Sequence, residues 1–135
     1  GVARAQGLIV NRTIDERSNF GKSAFAAAKL LKTICIPETK KILNKYNIEY
    51  DENELWFRLL VLHVYHAGAY NVGAVVDKIE PINGNKELIK SMWQNKAAGF
   101  GNCSQNYSQI AIAAHLILHD MIYKKCERII EKESR

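Results

Sequence analysis

Residues 59–79 read LLVLHVYHAGAYNVGAVVDKI. The segment opens as a near-continuous apolar run. It passes through Tyr65-His66-Ala67-Gly68-Ala69-Tyr70-Asn71 and resumes as an amphipathic stretch ending near Ile79. A plain core helix has no use for two tyrosines, a histidine and an asparagine packed so tightly. Glycine is the residue that lets a backbone turn sharply or approach a neighbour closely. The pattern predicts a helix, a tight junction at Gly68 and a second helix, with the junction facing a cleft.

Upstream, Tyr50-Asp51-Glu52-Asn53 reads as a turn and cap, and Asp51, Glu52 and Glu54 suit the positive end of the helix that follows. Leu55, Leu59, Leu62 and His66 share one face of that helix. Glu38–Asn47 reads as a short amphipathic helix with Ile42 and Leu43 inward. Before it, Phe20–Thr33 is predicted helical, with Asp15, Ser18 and Asn19 as candidate acceptors for its first free amides. Phe25, Ala28, Leu31 and Cys35 fall at helical spacing, Ala24 and Ala26-Ala27-Ala28 permit close contact, and Pro37 is expected to end the helix. Gly7-Leu8-Ile9-Val10 is a short apolar anchor. Downstream, Glu80–Asn85 is a loop, and Lys86–Gln94 is a helix with Leu88, Ile89 and Met92 inward. Ala97–Asn102, holding Gly99 and Gly101, reads as a flexible connection. Ser104–Lys132 is the longest predicted helix, its apolar stripe running through Tyr107, Ile110, Ala114, Ile117, Met121 and Ile129. With no convincing strand pattern and no internal repeat, the class is all-α.

A chain of 135 residues suits one domain, 1–135, around a single core. Its net charge of +5 comes from scattered lysines and arginines. Nucleic-acid binding would want them clustered on one helix face. No apolar run approaches the ~18 residues of a membrane span, so a membrane link is expected only through an anchor elsewhere in a parent protein. Gly1 is not an initiator methionine, and the sequence reads as a piece of a longer chain. Cys35, Cys103 and Cys126 show no CxxC spacing. One disulfide plus a free thiol, or three thiols, both remain open. No cofactor motif is present. His63/His66 and His115/His119 have helix-face spacing. His115-x-x-x-His119 lacks the glutamate after its first histidine that a zincin needs, and His63/His66 has no acid placed as a third ligand, so no metal site is expected.

Tyr65-His66-Ala67-Gly68-Ala69-Tyr70-Asn71-Val72 resembles the Tyr-Asn-Ala-Gly-Pro-Gly-Asn-Val signature of soluble-type lytic transglycosylases, lysozyme-like enzymes of bacterial cell-wall glycan. Tyr65, Ala67, Gly68, Asn71 and Val72 match; His66, Ala69 and Tyr70 depart. A second block, Gly7-Leu8-Ile9-Val10-Asn11, Ile14-Asp15-Glu16-Arg17, Lys22-Ser23 and Ala26-Ala27-Ala28-Lys29-Leu30-Leu31, is similar to the segment found in the membrane-bound lytic murein transglycosylase D branch. In a third, Cys103-Ser104-Gln105-Asn106-Tyr107 stands where the family has Glu-Thr-x-x-Tyr. The resemblance spans about Gly7 to Ile117. It implies a lysozyme-like domain of about five or six helices, peptidoglycan glycan strands as partner, and a bacterial cell envelope or periplasmic location. It also implies a substrate-binding set of Tyr65, His66, Gly68, Tyr70, Asn71 and Tyr107.

Glycoside cleavage of this type needs a carboxylic acid to protonate the leaving oxygen. In the family that glutamate belongs to a Glu-Ser motif upstream of the Gly-Leu-x-Val-Asn block, which here starts at Gly7. The resemblance therefore implies a domain cut short at its N-terminus, with the catalytic glutamate before Gly1. Glu133-Ser134 matches only as a dipeptide, and Asp15-Glu16-Arg17 reads as a cap and ion pair at a helix start. The main alternative is a non-catalytic module of the envelope that holds glycan or a partner protein.

Overall fold

The computed structural model describes residues 1–133, with side chains through residue 126. The fold is all-α. After a single turn, α1 (Val2–Ala5), come six longer helices: α2 (Phe20–Leu30), α3 (Ile36–Asn44), α4 (Leu55–Ala67), α5 (Ala69–Ile79), α6 (Lys86–Gln94) and α7 (Tyr107–Glu133). The β-pairing among the described residues consists of two isolated bridges, Val10 with Asp15 and Ala97 with Phe100.

α4 is the central rod. It packs against α3, α5, α6 and α7 and against the turn that joins α2 to α3. Its apolar run leaves Phe57 and Leu60 sealed from solvent, along with Leu43 from α3, Val72, Val75 and Val76 from α5, Met92 from α6 and Phe100. Tyr50 stacks on Phe57 at 5.1 Å and Trp56 meets the same ring edge-on at 6.1 Å. Short polar side chains start the flanking helices: Asn19 accepts from the Lys22 amide and Asn85 from the Glu87 amide. Each satisfies one of the donors that a first helical turn leaves free.

Pro37 does not end the first long helix. The chain passes through one wide π turn, Leu31–Cys35, where the Ile36 amide donates five residues back to the Leu31 carbonyl, and continues as α3. Proline lacks a donor and its ring crowds the carbonyl four residues back. A wider turn relieves both, and π turns are tolerated as single interruptions of this kind. The inward face of α2 is also shifted from the expected one. Ala26 is buried, whereas Phe25 is 73% exposed. The expected apolar stripe of α7 is exposed too, with Ile110, Ile117 and Met121 each more than half in solvent; Ile129 lies beyond the described side chains. Ala97–Asn102 is a tight turn, not a loose connection: the Ala97–Phe100 bridge closes it and the Phe100 ring is fully buried. All three cysteines are free thiols, Cys35 buried and Cys103 and Cys126 exposed.

Candidate functional site

The α4–α5 junction turns on Gly68, whose φ of 83° and ψ of 152° lie in a region essentially reserved for glycine. A Cβ there would meet nothing within 4 Å, so the requirement comes from the backbone and not from space. The turn stops α4 with its last side chains, Tyr65 and His66, outside the core. Two bonds carry the chain across it, from the Gly68 amide to the Val64 carbonyl and from the Val72 amide to the Gly68 carbonyl.

Tyr107, at the first turn of α7, lays its ring on the His66 imidazole, centroids 4.2 Å apart and planes within 12°. Burial raises the pKa of the half-buried Tyr107 hydroxyl, and the nearby Tyr65 phenol adds to the effect. Tyr65, His66 and Tyr107 thus gather on one side of the junction, and the His66–Tyr107 contact leaves no cleft between those two rings. Tyr70 stands apart, 81% exposed in the first turn of α5, with no hydrogen bond or ring contact among the described residues. Asn71 has structural partners: Nδ2 donates to the Ala67 carbonyl and Oδ1 accepts from the Gly99 amide.

On its other side Tyr65 borders a cleft of about 230 Å³ walled by Ala3, Gln6, Leu8, Arg17, Ala26 and Ala27, among others. The two acids that precede Arg17 in the chain are both held ionised. Bonds from the Arg17 side chain drop the Asp15 pKa to about 2. The Glu16 carboxylate accepts the Ile9 amide and pairs with Lys22, and both lower its pKa. A group that must arrive protonated at its substrate needs the opposite shift. Asp15-Glu16-Arg17 is therefore the cap and ion-pair unit that the sequence suggests. Glu133-Ser134 lies outside the described side chains.

His63 is fully buried against Phe100, ring centroids 5.4 Å apart, and neither ring nitrogen has a hydrogen-bond partner. The Ser104 backbone lies close enough to favour the charged ring, without reaching full hydrogen-bond geometry. Burial pushes its pKa down to about 4, with the Ser104 backbone pulling weakly the other way and His66 adding slightly to the drop. His115 and His119 sit on the exposed part of α7, ring centroids 6.3 Å apart.

Gln105 was not among the expected site residues. Its buried amide donates to the Trp93 and Asn95 carbonyls and its oxygen accepts from the Asn102 amide. This clamps the end of α6 to the turn that delivers Tyr107. No local pattern marks such a residue. Arg17 was read only as an ion-pair partner, and its place in the cleft wall was likewise not visible in the sequence.

No family model, curated protein or solved structure matches this chain.

Proposed function

We propose that this domain holds a bacterial cell-wall glycan strand against the Tyr65–His66–Tyr107 wall, as the glycan-binding part of a lytic-transglycosylase-type enzyme. The observation that carries the reading is the His66–Tyr107 stack placed directly at the Gly68 junction. Aromatic faces suit the apolar faces of sugar rings, and the Tyr65 phenol and the His66 ring nitrogens offer hydrogen bonds to sugar hydroxyls. The resemblance of the sequence blocks to the transglycosylases supplies the glycan class and the envelope location. The resemblance puts the cleaving carboxylic acid upstream of the Gly7-Leu8-Ile9-Val10-Asn11 block, and Asp15 and Glu16, both ion-paired with lowered pKa values, are poorly suited to that role.

A second reading, a non-catalytic glycan-binding module, is favoured by those same ionised acids. It shares the binding face and differs only in turnover. The test is NMR titration with chitooligosaccharides and with soluble peptidoglycan fragments. Amide shifts are expected at Tyr65, His66 and Tyr107, with loss of binding in Tyr107→Ala. Shifts confined to the distal end of α7, or none, would defeat the proposal.

A further inference from the structure

His63 is sealed inside α4 beneath the Phe100 ring, and neither of its ring nitrogens has a hydrogen-bond partner. A buried polar group without partners costs free energy, and a buried charge costs more. Among the described residues no carboxylate acts on the ring, and His66 on the same helix weakly opposes its charge. Tyr107 on α7 is stacked on His66. Lys96, at the start of the covering turn, bonds to Asn102, and Asp77 on α5 pairs with Lys45. A proton on His63 therefore meets no anion inside the fold. It gains hydration only if its cover lifts.

The cover is the turn of residues 97–104. The Gln105 side chain donates to the Trp93 and Asn95 carbonyls, so the chain leaves and returns at one point and the residues between form a lid pinned at its base. Two lid residues other than glycine hold a positive φ, Ala98 at 47° and Asn102 at 40°. Such backbone is unfavourable for L residues and persists only where the surroundings enforce it. Three contacts do so here: the Phe100 ring on His63, the Ala97–Phe100 bridge, and the Gly99 amide donating to Asn71. Residues 97–101 carry no ionisable side chain of their own.

We propose that residues 97–104 are an acid-operated lid: protonation of His63 lifts Phe100 off the imidazole, while α4 and the Gln105 clamp stay in place. Release of Gly99 also loosens Asn71, whose other bond holds the Ala67 carbonyl at the junction behind His66. The acid signal thereby reaches the candidate site. The His63 pKa of about 4, against an ordinary 6.5, sets the window. The lid is shut most firmly above pH 6.5, and its opening grows as pH falls toward 4. The lid does not depend on the glycan reading, because its opening is measured without a sugar.

Amide hydrogen exchange followed by NMR from pH 7.5 to 4.5, corrected for the intrinsic effect of pH, tests this. The amides of Gly99, Phe100 and Ser104, which bond to Asn71, Ala97 and Gly101, should be less protected than those of Leu60 and Val61 in α4 at every pH. Their protection should fall roughly 40-fold between pH 6.5 and 4.5. In His63→Leu, and in His63→Gln, which is polar but does not titrate, it should stay level. Lid amides protected as strongly as those of α4 overturn the proposal, since the turn would then open only with the whole fold. So does protection in the unaltered chain that is independent of pH. The same fall in either variant also overturns it, by passing the proton to another group.

Discussion

Asn71 holds Gly99 against the α4–α5 junction. Its Oδ1 accepts the Gly99 amide at 2.9 Å while its Nδ2 donates to the Ala67 carbonyl at 2.8 Å. One side chain thereby ties the turn that presents His66 to the turn that buries Phe100. Removing it leaves a donor and an acceptor without their partner, each worth about 1 kcal/mol or more. Asn71→Ala is expected to cost about 2 kcal/mol in urea denaturation. Gly99→Ala should cost a comparable amount, because its Cβ would come within 2.9 Å of the Asn71 side chain. The double variant should lose less than the sum, since both changes break one contact. Strict additivity would mean that the two residues are not coupled.

Gly68→Ala isolates the backbone requirement. Nothing lies in the way of the methyl group, so the whole cost is that of holding a non-glycine residue at φ 83°, on the order of 1–3 kcal/mol. Thermal unfolding should drop accordingly, and the Tyr107 resonances should shift as the His66 stack loses its alignment. A variant as stable as the parent would mean that the junction adopts another conformation in solution.

These two positions show what a sequence can and cannot announce. The need for Gly68 is local: polar residues interrupt an apolar helix and one glycine makes the turn possible. The role of Asn71 is not local. It depends on an amide 28 residues away, and as a sequence element it reads only as a polar residue near a cleft. Pro37 misleads because the rule against proline concerns the regular α ladder, and a single π turn evades it. Periodicity correctly places Leu88, Ile89 and Met92 in the core. The same reasoning puts Phe25, Ile117 and Met121 on an inward face that the fold leaves in solvent. A stripe states which residues share a side and says nothing of what stands opposite.

His63 makes stability depend on pH in a defined window. Its pKa is about 4 in the fold, against an ordinary value of 6.5. Between those values the unfolded chain binds a proton that the folded chain refuses. Stability is therefore complete above pH 6.5 and falls as pH drops toward 4, by roughly 3 kcal/mol at full extent. Most of that window lies above the range where carboxylates titrate. His63→Leu removes the two unpartnered ring nitrogens. It should be neutral or stabilising by up to about 1 kcal/mol at pH 7, and its stability should be nearly flat between pH 6.5 and 4.5. Urea midpoints across that range decide it; parallel curves for the two proteins would mean that another group carries the proton.

The last expectation concerns turnover. Purified peptidoglycan incubated with residues 1–135 should yield 1,6-anhydro products no faster than background. General acid catalysis alone is worth about 10²–10⁴-fold, and a carboxyl that must protonate a leaving oxygen has to be neutral when substrate arrives. Asp15, at about 2, is an anion at every pH of interest, and Glu16 is held charged by the Ile9 amide and Lys22. Burial raises the pKa of the Tyr107 hydroxyl above its ordinary value of 10.0, which makes it a still weaker acid. His66 is the imidazole on the aromatic wall, and its ring is stacked on Tyr107. Comparison with a protein extended upstream to include a Glu-Ser motif separates the cases. Cleavage by the extended protein alone supports the transglycosylase reading. Equal cleavage by both, abolished in Glu16→Gln, would place the acid at Glu16 and overturn the assignment of Asp15-Glu16-Arg17 as an ion-pair unit. Loss in His66→Ala with Glu16→Gln still active would instead make the imidazolium the proton donor. Binding without cleavage by either protein would assign the domain to glycan recognition.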